Sequence, residues 1–270
     1  MILIGNHELY NFGRPQLVSL LQESLSQQEM RHDPHHDDRH LYYSFRPVEG
    51  IKVIALDCFE ISTIGYEKKG ENYLEAADLM YKYHGHQDDV LWDEDGPLNG
   101  LERRFQAQNG GISSKQLAWL DRELTQSDKK REKVIVFGHC CLHPSSCDPT
   151  CLLWNYDQVL DSFSKHPSVV TYLSGHAHTP GHFLDSNGIH YLVFHGVIES
   201  NPSSLAFSTL TLFHTNLLVE GKGSEPSLSL PLLDRYSMVN PHSKEENQTL
   251  FECPENAIDP ESNPIVPVQV

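Results

Sequence analysis

The sequence predicts an α/β layered sandwich in one domain. Strand-like and helix-like segments alternate through the first two thirds of the chain, and consecutive strands follow. In addition, three strand ends run straight into Gly-Asn or Gly-His, which gathers polar side chains on one rim of a sheet. Met1 to Ile4 reads as the end of a buried strand leading into a turn, Gly5-Asn6-His7-Glu8. Pro15 to Met30 carries Leu17, Leu20, Leu21 and Leu25 at helical spacing after an early proline. Arg31 to His40 is a polar loop by composition. Leu41 to Phe45 and Ile51 to Asp57 are β-like, the second rich in Val and Ile. Residues 60–112 read as an insertion with short helices. A helix from Ser114 to Ser127 follows, capped by Ser113 or Ser114, with Leu117, Leu120 and Leu124 on one face. The strand Val134 to Phe137, a helix over Asn155 to Lys165 and the strand Val169 to Leu173 come next. Strands at Ile189 to Phe194, Ala206 to Phe213 and Asn216 to Val219 form an antiparallel finish. The domain is expected to span 1–240. From Pro241 onward, five prolines and six acids against one lysine predict an extended or disordered tail over 241–270.

Charge narrows the function. Of 270 residues, 20 are Lys or Arg and 37 Asp or Glu, a net charge of −17. Nucleic acid and anionic membrane surfaces both ask for a basic face, so neither is the expected partner. No apolar run is long enough to cross a bilayer. The N-terminus has no basic segment of a secretory signal, and six cysteines then read as reduced thiols in a cytoplasmic, monomeric protein. An anionic substrate would need positive charge from elsewhere. Seventeen histidines make divalent metal the candidate source.

The motifs Gly5-Asn6-His7-Glu8, Gly138-His139 and Gly175-His176-Ala177-His178 share one design. Glycine lets the chain leave the strand sharply, and the next side chain can then enter a common cleft. Imidazole nitrogens and an amide oxygen suit Mn, Fe or Zn. Other polar groups read more simply. The histidines between His32 and His40, and His84 with His86, belong to solvated acidic loops. Cys140, Cys141, Cys147 and Cys151 lack the paired spacing of a structural zinc site and read as pocket walls or buried thiols. Asn109-Gly110-Gly111 reads as a turn.

These motifs, with Gly5 to Arg14, Asn109 to Asp121, Phe137 to Asp157, Leu173 to Gly181 and His190 to Ser200 around them, resemble the calcineurin-like metallophosphoesterases. The resemblance is closer still to the manganese-dependent ADP-ribose/CDP-alcohol diphosphatases, and it implies a calcineurin-like β-sandwich flanked by helices. It assigns Asn6, His139 and His176 to one metal ion and His178 to a second. The ions would be Mn first, with Zn, Fe or Mg as alternatives. His7 would sit beside the reacting phosphate as the catalytic side chain. Cys151, Trp154 and Tyr156 would hold a base or ribose, and Arg14 would meet a phosphate. The reaction implied is hydrolysis of the diphosphate of ADP-ribose, CDP-choline or CDP-glycerol to a nucleoside monophosphate and a phosphorylated remainder.

The resemblance also implies what precedes Gly-Asn-His: an Asp-x-His or Asp-x-Gln motif, then Gly-Asp-x-x-Asp, supplying the first metal's ligands and a bridging carboxylate. Only four residues precede it here. The expectation is a fold lacking its first strands, with opened sheet edges and impaired activity. Two alternatives stand beside it: an inactive form binding at most one metal, and a phosphomonoesterase or cyclic-nucleotide phosphodiesterase of the same fold.

Overall fold

The computed structural model describes residues 3–27, 40–84, 98–201, 203, 205–239 and 266–269. Six helices and ten strands alternate along them. The helices are α1 (Asn6–Asn11), α2 (Arg14–Gln27), α3 (Glu71–His84), α4 (Ser114–Lys130), α5 (Tyr156–Lys165) and α6 (Arg235–Val239). The strands are β1 (Tyr43–Val48), β2 (Ile51–Ala55), β3 (Lys133–Phe137), β4 (Val169–Ser174), β5 (Gly181–Leu184), β6 (His190–Val193), β7 (Ala206–Leu212), β8 (Asn216–Gly223), β9 (Leu228–Pro231) and β10 (Val266–Gln269).

A six-stranded sheet has the order β1-β2-β3-β4-β6-β5, and a four-stranded sheet the order β10-β7-β8-β9. The pairs β2–β3, β3–β4 and β4–β6 are parallel. Their carboxyl ends therefore share one rim.

Alternation along these strands divides two cores. Ile54, Val134, Val136 and Tyr172 face the helical layer, meeting Leu17 and Leu21 of α2, Trp119, Leu120 and Leu124 of α4, and Val159 and Phe163 of α5. Val53, Ile135, Phe137 and Val170 face the other way, onto Leu210, Leu212, Leu217, Val219 and Leu230 of the second sheet. The central strands are apolar on both sides because both faces are covered. The α/β sandwich expected from alternation is what these residues build.

The differences from expectation are local. Leu3 to Gly5 is irregular rather than strand, and the turn after it continues into α1. Leu20, expected on the apolar stripe of α2, is exposed. Residues 60–112 hold a full helix, α3, which buries Tyr73, Ala76, Ala77 and Met80. β5, β9 and α6 were not foreseen. Among the described residues β2, β3 and β4 are contiguous, and the edges of their sheet are β1 and β5. Within the expected tail, Val266–Gln269 pairs antiparallel with β7; residues 240–265 lie outside the described residues, as do the loop histidines from His32 to His36 and His86.

Candidate metal centre

Two neighbouring strands deliver the site. After β3 the chain turns at Gly138 and presents His139; after β4 it turns at Gly175 and presents His176-Ala177-His178. Phe137 lies opposite Leu173, so both turns leave the rim side by side. α1 brings Asn6 and His7 over them. Asn6 Oδ1 is 3.0 Å from His139 Nε2, while its Nδ2 donates to the Tyr10 hydroxyl. The His139 and His176 ring centroids are 5.0 Å apart, and those of His7 and His178 5.9 Å.

The backbone is shaped for this cluster. His176 and His178 are both left-handed, with φ of 66° and 56°, a region uncommon for residues with a side chain. Gly5 packs on His139 so closely that a Cβ would sit 2.6 Å from the ring, and a Cβ on Gly196 would sit 2.9 Å from His178.

Protonation follows from the surroundings. Burial, helped by the neighbouring His7 and His178, pushes His139 down to about 4. Burial, with His139 and the other two imidazoles, pushes His176 well below the ordinary value. Both rings are neutral near pH 7 and keep a lone pair.

The tautomer of His176 can be read from its partner. Asn109 donates from Nδ2 to the carbonyls of Arg104 and Thr150, so its Oδ1 accepts from His176 Nε2, at 2.6 Å. His176 Nδ1 is then the lone pair, and it is buried without a hydrogen-bond partner. On His178, Nδ1 lies 3.1 Å from Glu199 Oε1, which leaves Nε2 as the lone pair. An imidazole bonded to a carboxylate through its far nitrogen is the usual setting of a metal ligand. These donors fit a divalent ion. Among the described residues no three His, Cys, Asp or Glu side chains close a cage, so the fit rests on an amide oxygen and imidazoles at a rim.

A cavity of about 320 Å³ opens beside the cluster. Asn6, His7, His176 and His178 line it together with Arg103, Gln106, Gln108, Asp148, Thr150 and Cys151. Asn6, His7, His139, His176 and His178 are therefore brought together, and Cys151 reaches the same cavity.

The remaining predicted contacts fall elsewhere. Trp154 is buried and donates its indole N–H to the Gln106 carbonyl. Tyr156 lies under the Arg104 guanidinium, 5.4 Å from centroid to carbon. Both support the cavity wall from behind and neither lines it. Arg14 is a correction: it forms a buried ion pair with Asp57 and donates to the Phe59 carbonyl at 3.0 Å, tying α2 to the end of β2. It borders a second cavity of about 1240 Å³ away from the histidines. The five described cysteines are free thiols, and burial raises Cys151 to about 11. Asn109 and Glu199, which fix the histidine tautomers, were missed. The signal for Asn109 is a polar residue wedged before Gly110-Gly111, which in sequence reads as turn chemistry alone.

The family model described as calcineurin-like phosphoesterase matches residues 1–180, a span that includes Asn6, His139, His176 and His178. The chain belongs to this family. Among calcineurin-like phosphoesterases it resembles the manganese-dependent ADP-ribose/CDP-alcohol diphosphatase of Danio rerio, 36% identical over 84% of this chain and 70% of that protein. The protein of the same name from Xenopus tropicalis is 36% identical over 81% of this chain and 65% of its own length. The one from Homo sapiens is 31% identical over 82% and 64%. The chain thus spans about two thirds of the length of these relatives. A crystal structure of a dimetal phosphatase from Danio rerio superposes with a TM-score of 0.74 at 35% identity, covering 86% of this chain and 71% of that one.

Proposed function

We propose that this phosphoesterase hydrolyses the diphosphate bond of ADP-ribose and CDP-alcohols in a divalent-metal-dependent reaction, giving a nucleoside monophosphate and a phosphorylated remainder. The observation that carries the reading is the rim cluster, in which His176 Nδ1 is a buried lone pair without a partner, in a chain whose relatives bear that activity in their names. Asn6, His139 and His176 would hold one ion and His178 a neighbouring one. Such ions polarise phosphoryl oxygens and lower the pKa of bound water. The chain's own groups do the rest. Glu199 and Asn109 orient the two imidazoles of the GHAH turn, and Phe59 packs against the rings of His139 and His176. His7, exposed at the cavity edge, is placed to hold or deliver a proton at the leaving oxygen. Manganese is the first choice of metal, with Zn, Fe and Mg as alternatives, and the setting is a cytoplasmic monomer acting on a small nucleotide.

Among the described residues the cavity's only acidic lining residue is Asp148, so no carboxylate bridges the proposed ligands. Weak retention of the second ion is therefore expected. The test is hydrolysis of ADP-ribose by the 270-residue chain with and without Mn, followed as AMP release. Turnover that needs Mn and falls by at least about 100-fold in His176→Ala is expected. Metal-independent turnover, or an unaffected variant, overturns the reading.

A further inference from the structure

The cavity that the histidines line carries one cationic side chain among the described residues. Arg103 is the only Lys or Arg among the described residues lining the 320 Å³ cavity, in a chain of net charge −17. It sits on a 3-10 turn, Gly100–Arg104, facing a second 3-10 turn, Pro149–Cys151. The adjacent Arg104 is committed to backbone, donating to the Trp154 and Leu101 carbonyls. Arg103 instead reaches Asp148 Oδ2 at 3.4 Å, with its side chain 34% exposed and that of Asp148 54% exposed. A pair so long and so open is weak. Asp148 is better satisfied through its other oxygen, which caps the second turn by accepting from Thr150 N and Oγ1 at 2.9 and 2.7 Å.

The platform beneath Arg103 is fixed. Gln106 Nε2 donates to the Arg103 carbonyl at 3.0 Å, and Asn109 ties the carbonyls of Arg104 and Thr150 together. The guanidinium thus stands on a rigid turn in the cavity that His178 also lines, held by a partner it can release. A guanidinium matches phosphate oxygens bidentately, a stronger contact than a solvated carboxylate offers.

We propose that Arg103 receives the second, non-reacting phosphate of the substrate, making it the residue that selects diphosphate-linked nucleotides over phosphate monoesters. This rests on the diphosphate-hydrolysis reading above. On binding, Arg103 exchanges the carboxylate of Asp148 for the phosphate, and Asp148 stays behind as the cap of its turn. The pair then sets a threshold: a single phosphate engaged at the histidine rim leaves Arg103 with Asp148, whereas a diphosphate reaches both.

The experiment compares ADP with AMP by calorimetry on the full chain in Mn-containing buffer, for the wild type, Arg103→Gln, Arg103→Lys and Asp148→Asn. The wild type is expected to bind ADP more tightly than AMP. Arg103→Gln should weaken ADP by about ten-fold and AMP by less than about two-fold. Arg103→Lys should recover part of the ADP affinity. Asp148→Asn, which keeps a capping oxygen, should tighten ADP a few-fold. Equal losses for both nucleotides in Arg103→Gln, or no loss in either, overturn the assignment while leaving the functional reading intact. A wild type that binds neither nucleotide overturns that reading and this one with it. Arg103 is half-exposed, and an unchanged melting temperature in its variants separates lost contact from lost fold.

Discussion

His166 is held at both ring nitrogens, by Asp128 at 2.6 Å and Asp121 at 3.0 Å, where α5 ends beside α4. Burial alone lowers the pKa of this imidazole, but the two carboxylates outweigh it and the net shift is upward from 6.5. A raised folded-state value means the clamp contributes fully below the unfolded pKa and fades as pH rises through the folded one. For Asp128, burial raises the pKa but the bonds from His166 and Ser168 bring it below 3.8, so its share is present above that value and fades as pH falls through the lowered one. We therefore expect the urea midpoint of the wild type to exceed that of His166→Gln in mildly acidic buffer, and the gap to close towards alkaline pH. A gap that does not change between about pH 5 and 9 would contradict the clamp. At this scale the rim cluster was legible because Asn6, His139 and His176 each follow a glycine, with His178 two residues further on. The sequence was silent about Asn109 and Glu199, whose roles come from distant chain positions meeting His176 and His178.

Elements were legible where their pattern was long. In α4, Ser113 accepts from Gln116 N at 3.1 Å, and Leu120 and Leu124 are fully buried. The two signals differ in worth. Ser113→Ala is expected to cost about 1 kcal/mol through the lost cap, and Leu124→Ala about 2–5 kcal/mol through lost burial and the cavity left behind. Urea unfolding of the two variants checks the ordering, and equal losses would show that the helix is held mainly at its end. The parallel strands β2, β3 and β4 were equally plain, as Val/Ile runs bounded by charge or glycine. Where sequence reasoning failed, the pattern was short or its apolar face small. β5 and β9 are four residues each, with at most two side chains per face. α3 buries Tyr73, Ala76, Ala77 and Met80 at true helical spacing, yet two alanines give its stripe little hydrophobic contrast. Trp154 and Tyr156 were placed in the substrate pocket because they follow His139 in sequence. In the fold Cys151 lines the cavity, with Asp148 and Thr150 of the same segment, while Trp154 and Tyr156 do not.

At the scale of the whole molecule, the −17 charge and the rim of histidines belong together. A chain so acidic gains from a bound cation, and a ligand that binds only the folded state stabilises it by mass action. With free Mn at about a hundred times its dissociation constant, about 2.7 kcal/mol is expected, which for a domain of this size is a rise in melting temperature of about 5–10 °C. Differential scanning calorimetry with Mn and with chelator measures it. The rise should disappear in His176→Ala, and an equal rise in that variant would assign the ion to another place. The partners at the rim also come from far apart in the chain: Asn6, Asn109, His139, His176 and Glu199. During synthesis the rim is assembled in stages: Asn6 can meet His139 only once β3 is complete, and the carboxylate that orients His178 arrives some sixty residues after that. A nascent fragment ending before Glu199 lacks the carboxylate that orients His178. On the metal-centre reading proposed above, a complete rim is therefore a late product of synthesis, and a ribosome that stalls before β4 yields a chain with the beginnings of a sheet and neither His176 nor His178.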